Sequence, residues 1–545
     1  MFPSRPLWAI VLVAAALRVF PVWFGLPYPY ARPDEAQAIS GAVGVLAGDP
    51  NPHFFHWPSL TFYLFAFALG AVSAIRDLMG MQDVLPRDVA LITARTVVAV
   101  AGSLTVIPLF RLTRRVAGET AALIAAAFLA VAPLHVRDSH FAMTDVLMTL
   151  LLTTSLAALV AAYDRARSPG PEGPGGTPSQ DSARSLGWRS LRRFAAAGLI
   201  GGLAISTKYN AAAIVAAMAA AQVLVLASTR LRPRWPTAMP FLVFVVGLIA
   251  GFVAGTPFAI FDAPAFAADF GYDLAHLSGG HAVPVGRGWA AHAVRSLPYG
   301  CGPLLLAAAA VGLVAGARRY PQHTFIIGAF AAAYYAVIGS GYTAFFRYVM
   351  PLVPVVCVFA ALAVREVSAR LSHDARSARR VPELAIATLL AGVVAAPSAW
   401  TSLRLDALLA RTDTRVIAGR WLASQLRPDH SVYDAGSDYT RLDLREERYH
   451  EWFFNPVTQS FGHPAGLTPD WIVIGDSPLS HYAGADEGVR GLVASRYDLA
   501  FMVQGAGSQS TADAYDRQDA FFLPFSGFGD VERPGPTIRL YRRRE

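Results

Sequence analysis

Apolar stretches long enough to cross a bilayer recur along this chain, and no other feature limits its possible folds so strongly. A membrane helix needs about 20 mostly apolar residues. Runs of that character stand at about 7–25, 91–110, 119–134, 146–162, 194–207, 211–228, 238–255, 296–316, 323–340, 348–364 and 382–400, which predicts about eleven transmembrane helices. Short basic loops stay in the cytoplasm. The arginines follow one zigzag: Arg5 first, then clusters of three at 111–115, six around 163–193, three at 230–234, two at 318–319 and five at 365–380 all fall on one side. A further apolar run, Ser59–Ile75, would invert every later loop if it crossed. The pattern therefore makes it a helix lying at or dipping into the outer interface. No small-residue cleavage site precedes Pro27, so the first run reads as an anchor and not as a removed signal peptide.

Composition narrows the class further. Of the 545 residues, 54% are hydrophobic and 15% charged, against about 25% charged in soluble domains. A single soluble enzyme and a disordered binder are both excluded. The net charge is +8, but the basic residues sit between apolar runs, so they report topology and no nucleic-acid partner. Cys301 and Cys357 both lie in apolar runs and offer neither a disulfide framework nor a Cys-rich zinc site. Of the 46 basic residues a single one, Lys208, is a lysine. In a chain where Arg stands wherever either serves, the survivor marks a place for a compact ammonium, chance being the alternative.

Two segments differ in texture. Residues 163–193 contain Pro-Gly-Pro-Glu-Gly-Pro-Gly-Gly and read as a flexible cytoplasmic linker inside a membrane domain spanning 1–400. Residues 401–545 read as a small extracytoplasmic α/β domain. Arg415–Gln425 and Val489–Tyr497 have helical spacing, while Ser431–Asp434, Asp470–Gly475 and Leu499–Val503 read as strands.

The outer loops collect the polar chemistry. Arg32-Pro-Asp34-Glu35 follows the first span, Asp49-Pro-Asn-Pro-His53-Phe-Phe-His56-Trp-Pro58 precedes the interfacial helix, and Arg137-Asp138-Ser-His140 with Asp145 occupies the loop 135–144 and the start of the next span. A carboxylate at a membrane edge is desolvated on one side, which suits it to general-base work. The alternative is that Asp34 and Glu35 only solvate a loop. His53, His56, Asp138, His140 and Asp145 are nitrogen and oxygen donors of the kind a divalent metal takes, or else interfacial packing residues. Lys208 and Arg347, at outer ends of spans, suit an anionic headgroup or simply snorkel to lipid phosphate. Arg18 lies inside the first span and needs a partner. His276 and His281 stand in an outer loop suited to covering a substrate.

The Asp-Glu after the first span, followed by Pro-His-Phe-Phe-His-Trp-Pro-Ser-Leu-Thr-Phe-Tyr-Leu, resembles the GT-C glycosyltransferases. More closely it resembles the branch containing the protein O-mannosyltransferases and the lipid A aminoarabinose transferase. His-Phe-Ala-Met-Thr-Asp145, Ser-Thr-Lys208-Tyr and Phe-Arg347-Tyr-Val-Met-Pro-Leu-Val-Pro continue the likeness, which covers about residues 7–370. The resemblance implies a mostly α polytopic membrane protein of GT-C type, with outer juxtamembrane helices and the C-terminal α/β domain appended. It implies a polyprenyl-phosphate sugar donor, inverting transfer on the outer face, and a glycan, lipid or protein acceptor. The setting it suggests is the bacterial inner membrane.

By the same resemblance Asp34 matches the catalytic base, with Glu35 beside it. Asp145 matches the second acidic position, which orients the acceptor or holds a metal together with His56. Lys208 and Arg347 are the candidates for stabilising the lipid phosphate, and His56 and Asp138 for substrate binding. His56 stands where some relatives carry Glu before Lys-Pro, Trp57 replaces that Lys, and Ser59 replaces the second proline of the mannosyltransferases' Pro-Pro. Two other classes compete with this enzyme. A transporter or flippase would place ionisable groups near the bilayer midplane at broken helices, whereas Asp and Glu here gather in outer loops. A scaffold would tolerate replacement of the loop carboxylates.

Overall fold

The computed structural model describes residues 5–28, 30–81, 83–167, 188–228, 235–374, 382–435, 437–444, 452, 454–455, 457–458, 460–462 and 467–544. Most of the expected linker, with Arg230, Arg232, Arg234 and the arginines at 376–380, lies outside them. The chain forms two compact units: one of Met1–Val19, Ala38–Val84 and Thr93–Ser402, the other of Phe20–Gln37, Leu85–Ile92 and Leu403–Glu545.

The first unit is helical. Among the described residues seven helices of the chain are long and apolar enough to cross a membrane, or eight when Gly288–Cys301 and Pro303–Arg319, bent by 109°, count as one span. All eleven expected runs form helices, but the length test does not admit all of them. Arg5–Val19 and Glu119–Ala130 are only 15 and 12 residues long. Leu60–Leu78, expected at the interface, passes the test with 19 residues, so length and composition do not set it apart from the spans.

Close helix packing here depends on glycine. Helix Trp188–Ile205 carries Gly198 and Gly202, and Trp235–Gly255 carries Gly247 and Gly251, each pair spaced by four. A Cβ on Gly198 or Gly202 would collide with the carbonyl oxygens of Phe244 and Leu248, and one on Gly247 or Gly251 with those of Ala195 and Leu199. Backbones that approach so closely gain dispersion contacts, the main attraction between helices in lipid. Gly312 meets the carbonyl of Phe359 in the same way, joining Pro303–Arg319 to Leu352–Asp374.

Three charged residues inside this unit meet nearby partners. Arg18, fully buried, donates to the carbonyls of Ala14, Ala130 and Leu129 and lies 3.0 Å from His135 Nδ1. Arg137 and Asp138, expected in an outer loop, are buried in the helical turn Pro133–Asp138, where Arg137 Nε lies 3.1 Å from Asp138 Oδ1.

The second unit carries a four-stranded sheet in the order Val432–Asp434, Trp471–Asp476, Thr537–Arg543, Tyr497–Val503. The first pair is parallel and the other two antiparallel. Helices Thr414–Gln425 and Glu487–Arg496 are started by Asp413 and Asp486, whose side chains accept from the amides of Arg415 and Gly488, the favoured N-cap arrangement. Ala418 and Leu422 pack with Trp471, Val473, Ile538 and Leu540 in one core, and Val489 and Val493 with Ile472 and Ile474 in a second. The expected elements appear, together with others the pattern did not announce, one of them in the four-stranded sheet. Thr537–Arg543 is an inner strand despite three arginines in Thr-Ile-Arg-Leu-Tyr-Arg-Arg, because those arginines have partners. Arg539 pairs with Asp476, Arg543 with Asp470, and Arg542 lies over Trp471.

Candidate functional site

In the first unit, three residues far apart in sequence meet around a buried carboxylate. Asp145 sits in the first turn of helix Thr144–Arg167, where the helix dipole favours an anion. Lys208 precedes the 3₁₀ turn Tyr209–Ala213 in an extended conformation. Its Nζ donates to Asp145 Oδ1 at 2.7 Å and lies 4.7 Å from the centre of the Tyr348 ring. Arg347, in the 3₁₀ turn Phe346–Val349, brings Nε to 4.0 Å from Asp145 Oδ2, and its guanidinium stacks 3.9 Å from the Phe345 ring. Asn210 donates to the Tyr334 hydroxyl, which donates to the Tyr348 carbonyl, so the ring beneath Lys208 is itself held.

One carboxylate, 2% exposed, faces two cations that are 17% and 12% exposed. Asp273 is a further carboxylate within electrostatic reach of Lys208.

His56, in the same unit, has two carboxylates as its nearest partners. Its Nδ1 lies 3.1 Å from Asp273 and its Nε2 3.8 Å from Asp269, both on helix Ala263–Gly279. Asp269 also accepts from the amide of Phe55 at 2.7 Å, and Tyr209 donates to the Phe55 carbonyl. The loop 49–58 is thereby pinned to that helix. Burial pushes the Asp273 carboxyl up to about 6, against the opposing pull of His56. Burial, with His56 and Arg347 as neighbouring charges, lowers His276, whose Nε2 stands 3.1 Å from His281 Nδ1.

His56 and Asp145, the two candidate metal ligands, thus face different partners. His56 has a carboxylate at each ring nitrogen, and Asp145 Oδ1 is engaged by Lys208. Among the described residues no group of three or more His, Cys, Asp or Glu stands ready to hold a metal ion. The donors present do not fit one at these two positions.

In the second unit, Asp34 and Glu35 open helix Asp34–Leu46, with the Glu35 amide donating back to the Arg32 carbonyl. The two carboxylates are treated oppositely: Glu35 is fully buried and the Asp34 side chain 37% exposed. Arg32, 1% exposed, uses Nη1 on Asp519 while its Nη2 lies 3.7 Å from Asp34 Oδ2. Phe521 packs beneath the Arg32 guanidinium and against Phe24.

A second buried arginine secures the same segment. Arg415 is paired with Asp413, donates to the Tyr439 carbonyl at 2.6 Å and lies 4.3 Å over the Tyr28 ring. Burial pushes the Tyr28 phenol up to about 12, so it presents a neutral ring to that cation. Burial also raises Tyr439, with Asp34, Asp438 and Asp519 as the contributing charges. A cavity of about 550 Å³ in this unit is lined by Leu26, Pro27, Pro86, Arg87, Asp88, Leu91 and Asp443, none of them a candidate site residue.

The sequence pointed to Asp34, Asp145, Lys208 and Arg347 but not to Asp519, Arg415, Asp269 or Asp273. Asp519 lies 487 residues from Arg32. Its local signal is only an acidic pair, Asp516 and Asp519, ahead of the apolar Phe-Phe-Leu-Pro-Phe.

Part of the chain matches a glycosyltransferase family model, and the fold is similar to that of solved membrane proteins. Residues 79–270, about a third of the chain, match the family model described as dolichyl-phosphate-mannose-protein mannosyltransferase (PMT). The structure is similar to that of ArnT from Cupriavidus metallidurans bound to undecaprenyl phosphate, with a TM-score of 0.52, 16% identity and 98% of each chain covered. It is also similar to the Archaeoglobus fulgidus oligosaccharyltransferase tethered to an acceptor peptide, with a TM-score of 0.50 and 16% identity over 79% of this chain. This chain spans 62% of that archaeal protein's length. Comparison with curated protein sequences returns no match.

Proposed function

We propose that this protein transfers a sugar from a polyprenyl-phosphate carrier to an acceptor on the outer face of the membrane, with inversion at C1. In this reading the acceptor's hydroxyl oxygen attacks C1 while Asp34 takes its proton. The bond from C1 to the phosphate oxygen breaks, and its electron pair leaves with the lipid phosphate. Lys208 and Arg347 stabilise that growing charge, and Asp145 orients the ammonium of Lys208.

The observation that carries the reading is the Asp145 cluster, in which one buried carboxylate brings two partly exposed cations, Lys208 and Arg347, to one place. The lipid phosphate carried by the similar ArnT structure supports the donor class. No step is assigned to a metal, because the donor set at His56 and Asp145 does not suit one.

The test is release of polyprenyl phosphate from a panel of lipid-phosphate sugars by the purified protein, wild type against Asp34→Asn, with a crude envelope extract as acceptor. Release from one donor that vanishes in the variant supports the reading and names the sugar. Equal release by both removes Asp34 as the base. Donor binding without release by either favours a carrier of lipid-linked solutes.

A further inference from the structure

We infer that Asp519, far along the C-terminal chain, is a positioning residue for Asp34, acting through Arg32; the inference rests on the reading of Asp34 as the base. Arg32 is 1% exposed and Asp519 is 4% exposed, so the pair is withdrawn from water. Asp34 remains 37% exposed and 3.7 Å from the other terminal nitrogen of the same guanidinium.

Arg32 thus has a carboxylate beside each of its terminal nitrogens. A guanidinium is planar, and a bond fixed at Nη1 also fixes where Nη2 lies. With Asp519 in place, Arg32 stays near Asp34 without collapsing onto it, and the carboxylate keeps its solvent face and its capacity to accept a proton. Removing the Asp519 charge leaves Asp34 with a larger share of that cation. The guanidinium would then close on Asp34, rotate it and hold it ionised.

Tyr439 interacts with Asp34, Asp438 and Asp519, and burial keeps its phenol neutral. The Tyr439 backbone is fixed by Arg415, which pairs with Asp413 and covers Tyr28. On the helix of Asp34 itself, the neighbouring Glu35 is fully buried. Phe521, two residues beyond Asp519, packs on both Arg32 and Phe24. The C-terminal segment thus acts on the turn that carries Asp34, which gives it a task other than acceptor recognition.

The test compares wild type, Asp519→Asn, Asp519→Glu and Asp34→Asn as purified full-length protein, with the lipid-phosphate sugar that the wild type consumes. Turnover is measured against pH, and thermal unfolding is followed in parallel. Asp519→Asn keeps the side chain's shape but not its charge. It is expected to lower kcat by about tenfold or more, since small misplacements of a reacting group are costly. The donor KM should stay within about twofold, and the acidic limb of the kcat profile should move to lower pH. Asp519→Glu should restore both the rate and the limb.

Unchanged turnover and profile in Asp519→Asn would overturn the inference. So would a loss of rate that only tracks lost folded protein, with the limb unmoved and no recovery in Asp519→Glu. If Asp34→Asn keeps full turnover, the base assignment itself fails, a result distinct from either. A wild type that consumes no donor would remove both.

Discussion

Asp145 and Asp34 are both aspartates in the first turn of a helix, and the protein holds them in opposite ways. Asp145 is shut away from water, gives Oδ1 to Lys208 and faces Arg347 with Oδ2. Asp34 keeps more than a third of its side chain in solvent, and its cationic neighbour Arg32 is bound to another carboxylate. The first environment commits the acid to fixing cations. The second leaves an acid within reach of solvent. A carboxylate's role is set by how its neighbours share charge, not by its place at a helix start.

The largest expected effect breaks the comparison at its exposed end. Asp34→Asn should reduce kcat by about 10²–10⁴-fold, the usual contribution of a positioned general base. Donor binding, followed by titration with the lipid-linked sugar, should be nearly unchanged. Asp145→Asn should instead weaken donor affinity, because Lys208 loses the anchor that orients it. If both substitutions lower kcat alike with affinity intact, the two aspartates share one role and the contrast fails.

The next effect is on stability. Lys208→Met leaves the buried Asp145 carboxylate without its hydrogen-bonding cation, which should cost about 3–5 kcal/mol. Adding Asp145→Asn should recover most of that loss, since the pair is then removed together. The double variant should fold and still bind donor poorly, because the ammonium is gone. Thermal unfolding in detergent and donor titration on the four proteins of this cycle check both halves. Recovery of binding along with stability would show that Lys208 serves only the fold.

Much of this arrangement was legible in the sequence, for reasons that differ by residue. Lys208 stood out as the sole lysine among 46 basic residues, and it makes the closest ionic contact to Asp145. The helices were readable because lipid demands long apolar runs, although Leu60–Leu78 shows that such a run does not by itself declare whether it crosses. Asp138 misled because a short polar segment between apolar runs looks exposed, whereas packing of the turn Pro133–Asp138 buries it. His56 was readable as a polar group near a membrane edge, but its partners Asp269 and Asp273 lie more than 200 residues away. The Arg32–Asp519 pair left only a faint local trace, the acidic residues Asp516 and Asp519. Such a pair appears only once the chain has folded back across its whole length.

Asp273 offers the finest test, because it lies between the two extremes. It has a partner in His56, yet burial dominates and lifts it to about 6 from an ordinary 3.8. Between those two values the folded form binds more protons than the unfolded one. By proton linkage this group's contribution to stability therefore falls as pH rises from about 4 to about 6 and stays low above that. Asp273→Asn removes the titration while keeping the shape. The melting temperature of the variant relative to wild type should then rise through that interval and level off near neutrality. A gain on the order of 1 kcal/mol at pH 7 is expected, smaller than the full shift implies because water reaches part of the side chain. A variant that is less stable than wild type at pH 7 would show that the bond to His56 outweighs burial. Asp273 would then belong with Asp145, as a carboxylate whose work is to hold a cation.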